Sequence, residues 1–400
     1  MSTFEGNFLF GYMRSVIIIL LICLSSCLGL VRCVDPRPAT INSSLNVLIV
    51  DGTLTDKAET QVIRLNRSQA DPLSGRLGYL PVTKANVQLV VDSGNVVIAQ
   101  ETTDGRYQLP ADFQGQAGHT YQLKFTLSDG THYESTPELL QPVAPIGQVR
   151  AQFNPTSLSG TERLNNIYTA AHDFYVDFTD PANQTNYYRW EWTDWERQEW
   201  CRSCQRGLYQ ILDAQGALLE DCVNNTLNSS FPNYDYNCRT ACWEIIYSNN
   251  LILFSDQYSN GNPVKGLLVG RIPLYSKEHC LVDIRQSSLT KSAYEYLKRL
   301  SDQTQTTGGV DGGQPALLVG NIHNVAQYNE AVVGYFTVSS VSSFRYWLTR
   351  SDASGFTPGL FQALNGHDPT REPAIGNRPP LAVCVSSDTR TPYKPEGWRD

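Results

Sequence analysis

The sequence predicts a mainly β protein, a small sandwich followed by a larger β-rich domain with one amphipathic helix. Three observations carry that prediction. Short runs of alternating apolar and polar residues recur between turn-forming clusters. Charged residues are only 18% of a chain that holds 21 Tyr, 29 Gly and 21 Pro, a balance suited to strands and turns. A sustained helical period occurs at one place, 288–303. With 400 residues and 41% hydrophobic content, the chain is long enough for two or three domains with proper cores.

The segment ahead of the first strand reads as an export signal. Met13-Arg14-Ser15 precedes an apolar run from Val16 to Leu24, and Leu24-Ser25-Ser26-Cys27 follows. The run is nine residues, about half of the roughly 20 that span a bilayer. Leu-Ser-Ser-Cys has the form of a lipobox, in which the peptidase cuts before a cysteine that carries a diacylglycerol. This makes 1–27 a lipoprotein signal peptide with Cys27 as the lipidated residue. Cys33, preceded by Arg32, is the alternative acceptor. The stretch 28–41 contains Pro36 and Pro38 and reads as a tether.

The first module is placed at 42–143. Leu45 to Val50, Thr60 to Leu65, Ala85 to Val91, Val96 to Ala99 and Thr120 to Leu127 are strand-like, with turns at Asp92-Ser93-Gly94-Asn95 and Asp129-Gly130. Spacing of this kind indicates a sandwich. Pro81 to Val87, followed by Thr103-Asp104-Gly105-Arg106-Tyr107, looks like a small transthyretin-like or carboxypeptidase-regulatory-like Ig module. Pro142, Pro145 and Gly147 mark its exit. In the second domain, 146–400, strands are expected at Phe174 to Phe178, Tyr187 to Trp192, Leu251 to Phe254, Val282 to Arg285 and Val332 to Val338. Leu289, Ala293, Tyr296, Leu297 and Leu300 form the apolar face of the helix.

The chain has ten cysteines. After export and lipidation at Cys27, Cys33, Cys201, Cys204, Cys222, Cys238, Cys242, Cys280 and Cys384 remain, an even number that suits disulfides in an oxidising compartment. Cys201-x-x-Cys204 with Cys238-x-x-x-Cys242 also has a zinc-like spacing. In an exported chain disulfides are the stronger reading, and no metal site or cofactor is assigned. The net charge of −8 is spread without a basic cluster, which argues against a nucleic-acid partner.

Tyr188, Trp190 and Trp192 share one strand face and are expected in the core. Trp195 and Trp200 fall outside that pattern and are the candidate ligand-facing aromatics, suited to stacking on sugar rings. No nucleophile elbow, zinc-protease motif, phosphate loop or EF-hand loop is present. The six histidines are scattered, with His172-Asp173 and His279-Cys280 next to reactive types. Asp177 and Asp180 are an acidic pair at an Asp-Pro turn, where loop capping is the simpler role. No catalytic residue is assigned.

Several short motifs occur in order: Cys33-Val34-Asp35-Pro36, Val50-Asp51-Gly52, Tyr133 to Glu138, Asp177-Phe178-Thr179-Asp180-Pro181, Cys242-Trp243, Ala293 to Tyr296, Val319 to Ile322, Gly334-Tyr335-Phe336 and Lys394 to Trp398. Together they resemble a Bacteroidota lipoprotein family described as domain of unknown function 4249. The resemblance implies an outer-membrane, lipid-anchored protein on the periplasmic or cell-surface face, encoded near TonB-dependent receptors. It implies a non-enzymatic accessory or binding subunit of such a transport system. A glycan-binding surface protein and a surface hydrolase with a site assembled from distant loops are the alternatives.

Overall fold

The computed structural model describes residues 46–70, 77–224, 233–306, 318–373, 376 and 378–400. Cys27, Cys33 and the signal and tether readings for 1–41 lie outside the described residues. Asn46–Gln69 and Gly78–Asp400 form one compact unit, and it is mainly β.

An eleven-stranded sheet dominates the N-terminal half. Its order is Ile322–Asn324, His132–Ser135, Thr120–Thr126, Asn86–Val91, Asn95–Thr103, Arg106–Gln108, Val62–Ala70, Leu48–Thr55 and Val332–Ser339. Leu77–Pro81 pairs beside Val62–Ala70, and Glu138–Leu139 beside Thr120–Thr126. The alternation that marked these runs puts every second residue inward. Leu48, Val50, Leu65, Leu89, Leu123 and Phe336 fill the core with Phe125 and Tyr133, whose rings stack at 5.1 Å.

The sheet curls until its two ends nearly meet. Val319 bridges to Val333. The Asn321 side chain accepts from the Phe336 N–H at 2.9 Å and donates to the Phe336 carbonyl at 3.0 Å. Glycine is required at this seam, because a Cβ on Gly320 would stand 1.4 Å from the Gly334 carbonyl oxygen. Gly334 has φ +105°, and its own Cβ would meet the Val50 oxygen at 1.8 Å.

The sheet is not contiguous in sequence. Leu48–Thr55 pairs in parallel with Val332–Ser339 over its whole length, so strands from beyond residue 318 complete a layer that begins with residues of the 42–143 segment. Sequence spacing sees neighbours along the chain, and a parallel partner some 280 residues away leaves no local signal.

Most of the intervening residues, together with strands after Ser340, form a second, two-sheet layer pair. Ile146–Asn154, Ala171–Thr179 and Pro263–Pro273 make a three-stranded sheet. Val341–Leu348, Cys280–Leu289, Tyr187–Arg197, Trp243–Tyr247 and Arg390–Thr391 make the other, with Ile252–Ser255 also paired to Tyr187–Arg197. Phe174, Val176, Phe178, Tyr188, Trp190, Val282 and Ile284 form the core between them. The expected placement of Tyr188, Trp190 and Trp192 on the buried face is what the structure has.

Two hairpin-like pairs project from this layer, Trp200–Cys204 with Tyr234–Asn237 and Gly207–Leu212 with Leu218–Asn224. The helix runs Lys291–Thr306, starting after Leu289, which ends a strand. Thr290 caps it by accepting from the Ala293 N–H at 3.2 Å. Ala293 and Leu297 are buried with Leu289, while Leu300 is 37% exposed. A second short helix spans Leu360–Asn365.

The two layers are joined where Val332–Ser339 passes into Val341–Leu348. Ser340 donates to Asp56, which also accepts from the Val341 N–H at 2.9 Å. Arg285 reaches Glu59 at 2.7 Å.

A candidate ligand pocket beside a buried acidic cluster

The strand Tyr187–Arg197 organises the site. Its even positions all face the interior. The first three are Tyr188, Trp190 and Trp192. The next two, Asp194 and Glu196, and Gln198 just past the strand's end, are polar and 0%, 1% and 3% exposed. The strand therefore carries polar side chains inward just where the apolar core ends.

Glu196 is held by Arg350. The guanidinium donates to both Glu196 oxygens, one of them at 3.2 Å. The same Arg350 donates to the Ser276 and Glu278 carbonyls, each at 3.2 Å. Arg350 is 2% exposed, so it ties the loop before Cys280 to the strand from inside. Burial pushes the Asp194 carboxyl well above the ordinary range, and the charge of Glu196 adds to it. Burial also pushes the Cys280 thiol up.

Beyond Arg197 the chain turns into Trp200–Cys204 and forms one wall of a cavity of about 540 Å³. Trp200 and Phe361 stand on one side, with ring centroids 5.7 Å apart, and Arg371 lies over the Trp200 ring at 5.3 Å. Trp347 and Trp398 stand on another, nearly perpendicular at 86° with centroids 5.0 Å apart. Glu199, Glu278 and Gln362 add polar groups to the lining. A concave space that combines aromatic rings with polar and charged groups has the form of a small-molecule site.

The two aromatics singled out from sequence part company. Trp200 is 8% exposed and lines this cavity. Trp195 lies on the opposite face of its strand, half-buried, outside the cavity lining. Trp398 entered only as the end of the Lys394 to Trp398 motif, with no ligand role, and Trp347 and Phe361 were not singled out; the three come from separate segments.

The cysteines form Cys201–Cys238, Cys204–Cys222 and Cys242–Cys384. The zinc-like spacing of Cys201, Cys204, Cys238 and Cys242 is thus taken up by disulfides. Cys280 is a correction: expected among the paired cysteines, it is a buried free thiol. It opens a central strand opposite Glu196, in the sheet interior rather than among the hairpins that hold the other sulfurs.

The remaining candidates are hydrogen-bonded within the chain, and His279 also borders the cavity. His172 is 0% exposed, and its Nε2 pairs with Asp352 at 3.0 Å. His279 uses Nδ1 on the Thr349 carbonyl at 3.1 Å. Asp177 binds Arg150 at 2.8 Å and accepts from the Gly266 N–H at 2.7 Å. Asp180 is buried and accepts from the Tyr188 hydroxyl at 2.7 Å. Burial raises its carboxyl. No helix among the described residues is long and apolar enough to cross a membrane.

Over residues 34–345 the chain matches the family described as Domain of unknown function (DUF4249). The chain belongs to that family. A comparison with curated proteins gave no match. The DUF4249 match includes the strand Tyr187–Arg197, Trp200 and Cys280, and it ends before Trp347, Arg350, Phe361 and Trp398. Of the lining residues, Trp200, Ser276 and Glu278 therefore lie within the matched segment, and Trp347, Phe361 and Trp398 lie beyond it.

Proposed function

We propose that this chain is a non-enzymatic binding subunit, lipid-anchored at the outer membrane, that holds a ligand in the Trp200–Trp347–Trp398 cavity beside a TonB-dependent barrel. The observation that carries the binding reading is the cavity itself, about 540 Å³ and lined by four aromatic rings together with charged and amide side chains. Of the lining groups with acid–base character, Ser276 accepts from the Glu278 N–H at 3.2 Å and His279 Nδ1 is bonded to the Thr349 carbonyl at 3.1 Å. The export signal supports the anchor at Cys27 or Cys33, and membership of DUF4249 supports the partner. In this reading the N-terminal module, of Ig-like kinship, is the spacer between lipid and pocket.

A glycan is the ligand class the lining favours. Indole and phenyl faces pack on the apolar faces of sugar rings, while Gln362, Glu199 and Glu278 offer bonds to hydroxyls. The first experiment is an affinity capture of the tagged, lipidated protein from gently solubilised outer membrane. A stoichiometric TonB-dependent barrel supports the accessory role, and its absence removes it. A sugar array with wild type and Trp347→Ala tests the ligand. Binding that is lost in the variant supports the cavity. Binding that survives places the ligand elsewhere.

A further inference from the structure

We propose that Asp194, Glu196 and Cys280 form a structural site for one divalent cation of the zinc class. The proposal is independent of what fills the aromatic cavity, and it departs from the metal-free expectation raised by the sequence.

Register alone brings the three donors together. Asp194 and Glu196 are two residues apart on one strand, so their side chains share a face. Glu196 stands directly across from Cys280 in the antiparallel pair Tyr187–Arg197 with Cys280–Leu289. One oxygen of each carboxylate and the Cys280 sulfur lie within 4.8 Å of one another. Bonds of about 2.0 Å to oxygen and 2.3 Å to sulfur place neighbouring donors roughly 3.5 Å apart around a tetrahedral ion. The side chains need to close by only about 1 Å to reach that geometry. Donors fixed on two central strands are the kind of rigid framework a metal site uses.

An independent observation points to a ligand. Asp194 is 0% exposed, and its carboxylate oxygens have no hydrogen-bond partner outside the Glu196 and Cys280 groups of the cluster itself. A buried carboxylate with no partner from the surrounding fold is costly, more so when it is charged. Cys280, in the same cluster, is the free thiol among the described cysteines.

Charge points the same way. Three anionic donors beside the Arg350 guanidinium sum to −2, and a divalent cation cancels this. Two protons shared among these donors would cancel it too, and elemental analysis separates the two cases. Arg350 already orients the Glu196 carboxylate, the role that outer-sphere groups play around metal ligands. A thiolate with carboxylates selects zinc over calcium or magnesium, which take oxygen alone.

The test is elemental analysis of the full chain purified with its disulfides intact from zinc-supplied cells. About one zinc per chain is expected in wild type, falling at least tenfold in Asp194→Asn and in Cys280→Ser. Each variant is first shown to be folded by near-ultraviolet circular dichroism. Wild type unfolded and refolded with cobalt alone is expected to show a sulfur-to-cobalt charge-transfer band that Cys280→Ser lacks. A folded wild type that stays metal-free after refolding in zinc, with Cys280 titrating as a thiol on denaturation, overturns the site. Full zinc retention by Cys280→Ser overturns it as well. Should both variants fail to fold, the wild-type cobalt spectrum decides: the band supports the site and its absence overturns it.

Discussion

In the curled sheet, twenty buried apolar side chains from ten segments form one core, with no cysteine among them. The hairpins between Trp200 and Asn237 belong to a cluster of six buried residues, three of which are cysteines: Cys201, Cys204 and Cys242, with Tyr209, Tyr236 and Ala382. Three disulfides converge on that small cluster. Where the apolar area is large, burial alone holds the strands. Where few residues can be buried, cross-links remove freedom from the unfolded chain instead. The contrast bears on the cavity, because Trp200 sits at the junction, its ring in the wall and its neighbour Cys201 in the stapled cluster.

The largest effect tests the stapled side. The Cys242–Cys384 bond spans 142 residues, and removing it with Cys242→Ala and Cys384→Ala is expected to cost about 4–5 kcal/mol by loop closure. A thermal scan of the double variant should show the cysteine-rich part melting ahead of the rest. A single unshifted transition breaks the comparison.

Next comes the apolar side. Phe125 is 2% exposed and stacked on Tyr133, so Phe125→Ala should lower stability by about 3–5 kcal/mol. Reducing agent should leave that loss unchanged in urea titrations of the sheet, since no disulfide supports it. A smaller effect is expected at the seam. Asn321→Ala removes both bonds to the Phe336 backbone and a 3.3 Å bond to Glu138, about 2 kcal/mol. Hydrogen exchange should quicken at Phe336 and leave the hairpins protected.

The smallest effect is a pH dependence. Burial lowers the His172 imidazole from its ordinary value of 6.5, against the pull of Asp352. Below pH 6.5 the unfolded chain takes up a proton that the folded one resists, so stability falls as the pH drops from 6.5 toward the lowered native value. His172→Gln should flatten that slope. A slope of equal size in the variant would assign it to other groups.

Much of the strand pattern was legible. Asn86–Val91 and Asn95–Thr103 join through Asp92 and Ser93, both at positive φ, as the turn residues announced. The buried face of Tyr187–Arg197 was legible up to Trp192, because alternation reports burial. Asp194 and Glu196 sit on the same face, but a carboxylate in an alternating pattern is ordinarily read as the point where the buried run ends. Their burial depends on Arg350, 154 residues from Glu196. The helix start was misplaced by three residues because Leu289 continues the apolar period while still belonging to the strand.

By itself the sequence determined the β class, the one substantial amphipathic helix, the inward aromatic stripe and the presence of disulfides, since each follows from local periodicity, turn chemistry or residue count. The tertiary structure decided the parallel closure of Leu48–Thr55 on Val332–Ser339, the pairing that leaves Cys280 free, and the meeting of Trp200, Trp347 and Trp398 around one cavity. These are contacts between residues far apart along the chain. Their partners are selected by the packing of whole layers, and no short window of sequence contains both halves of such a contact.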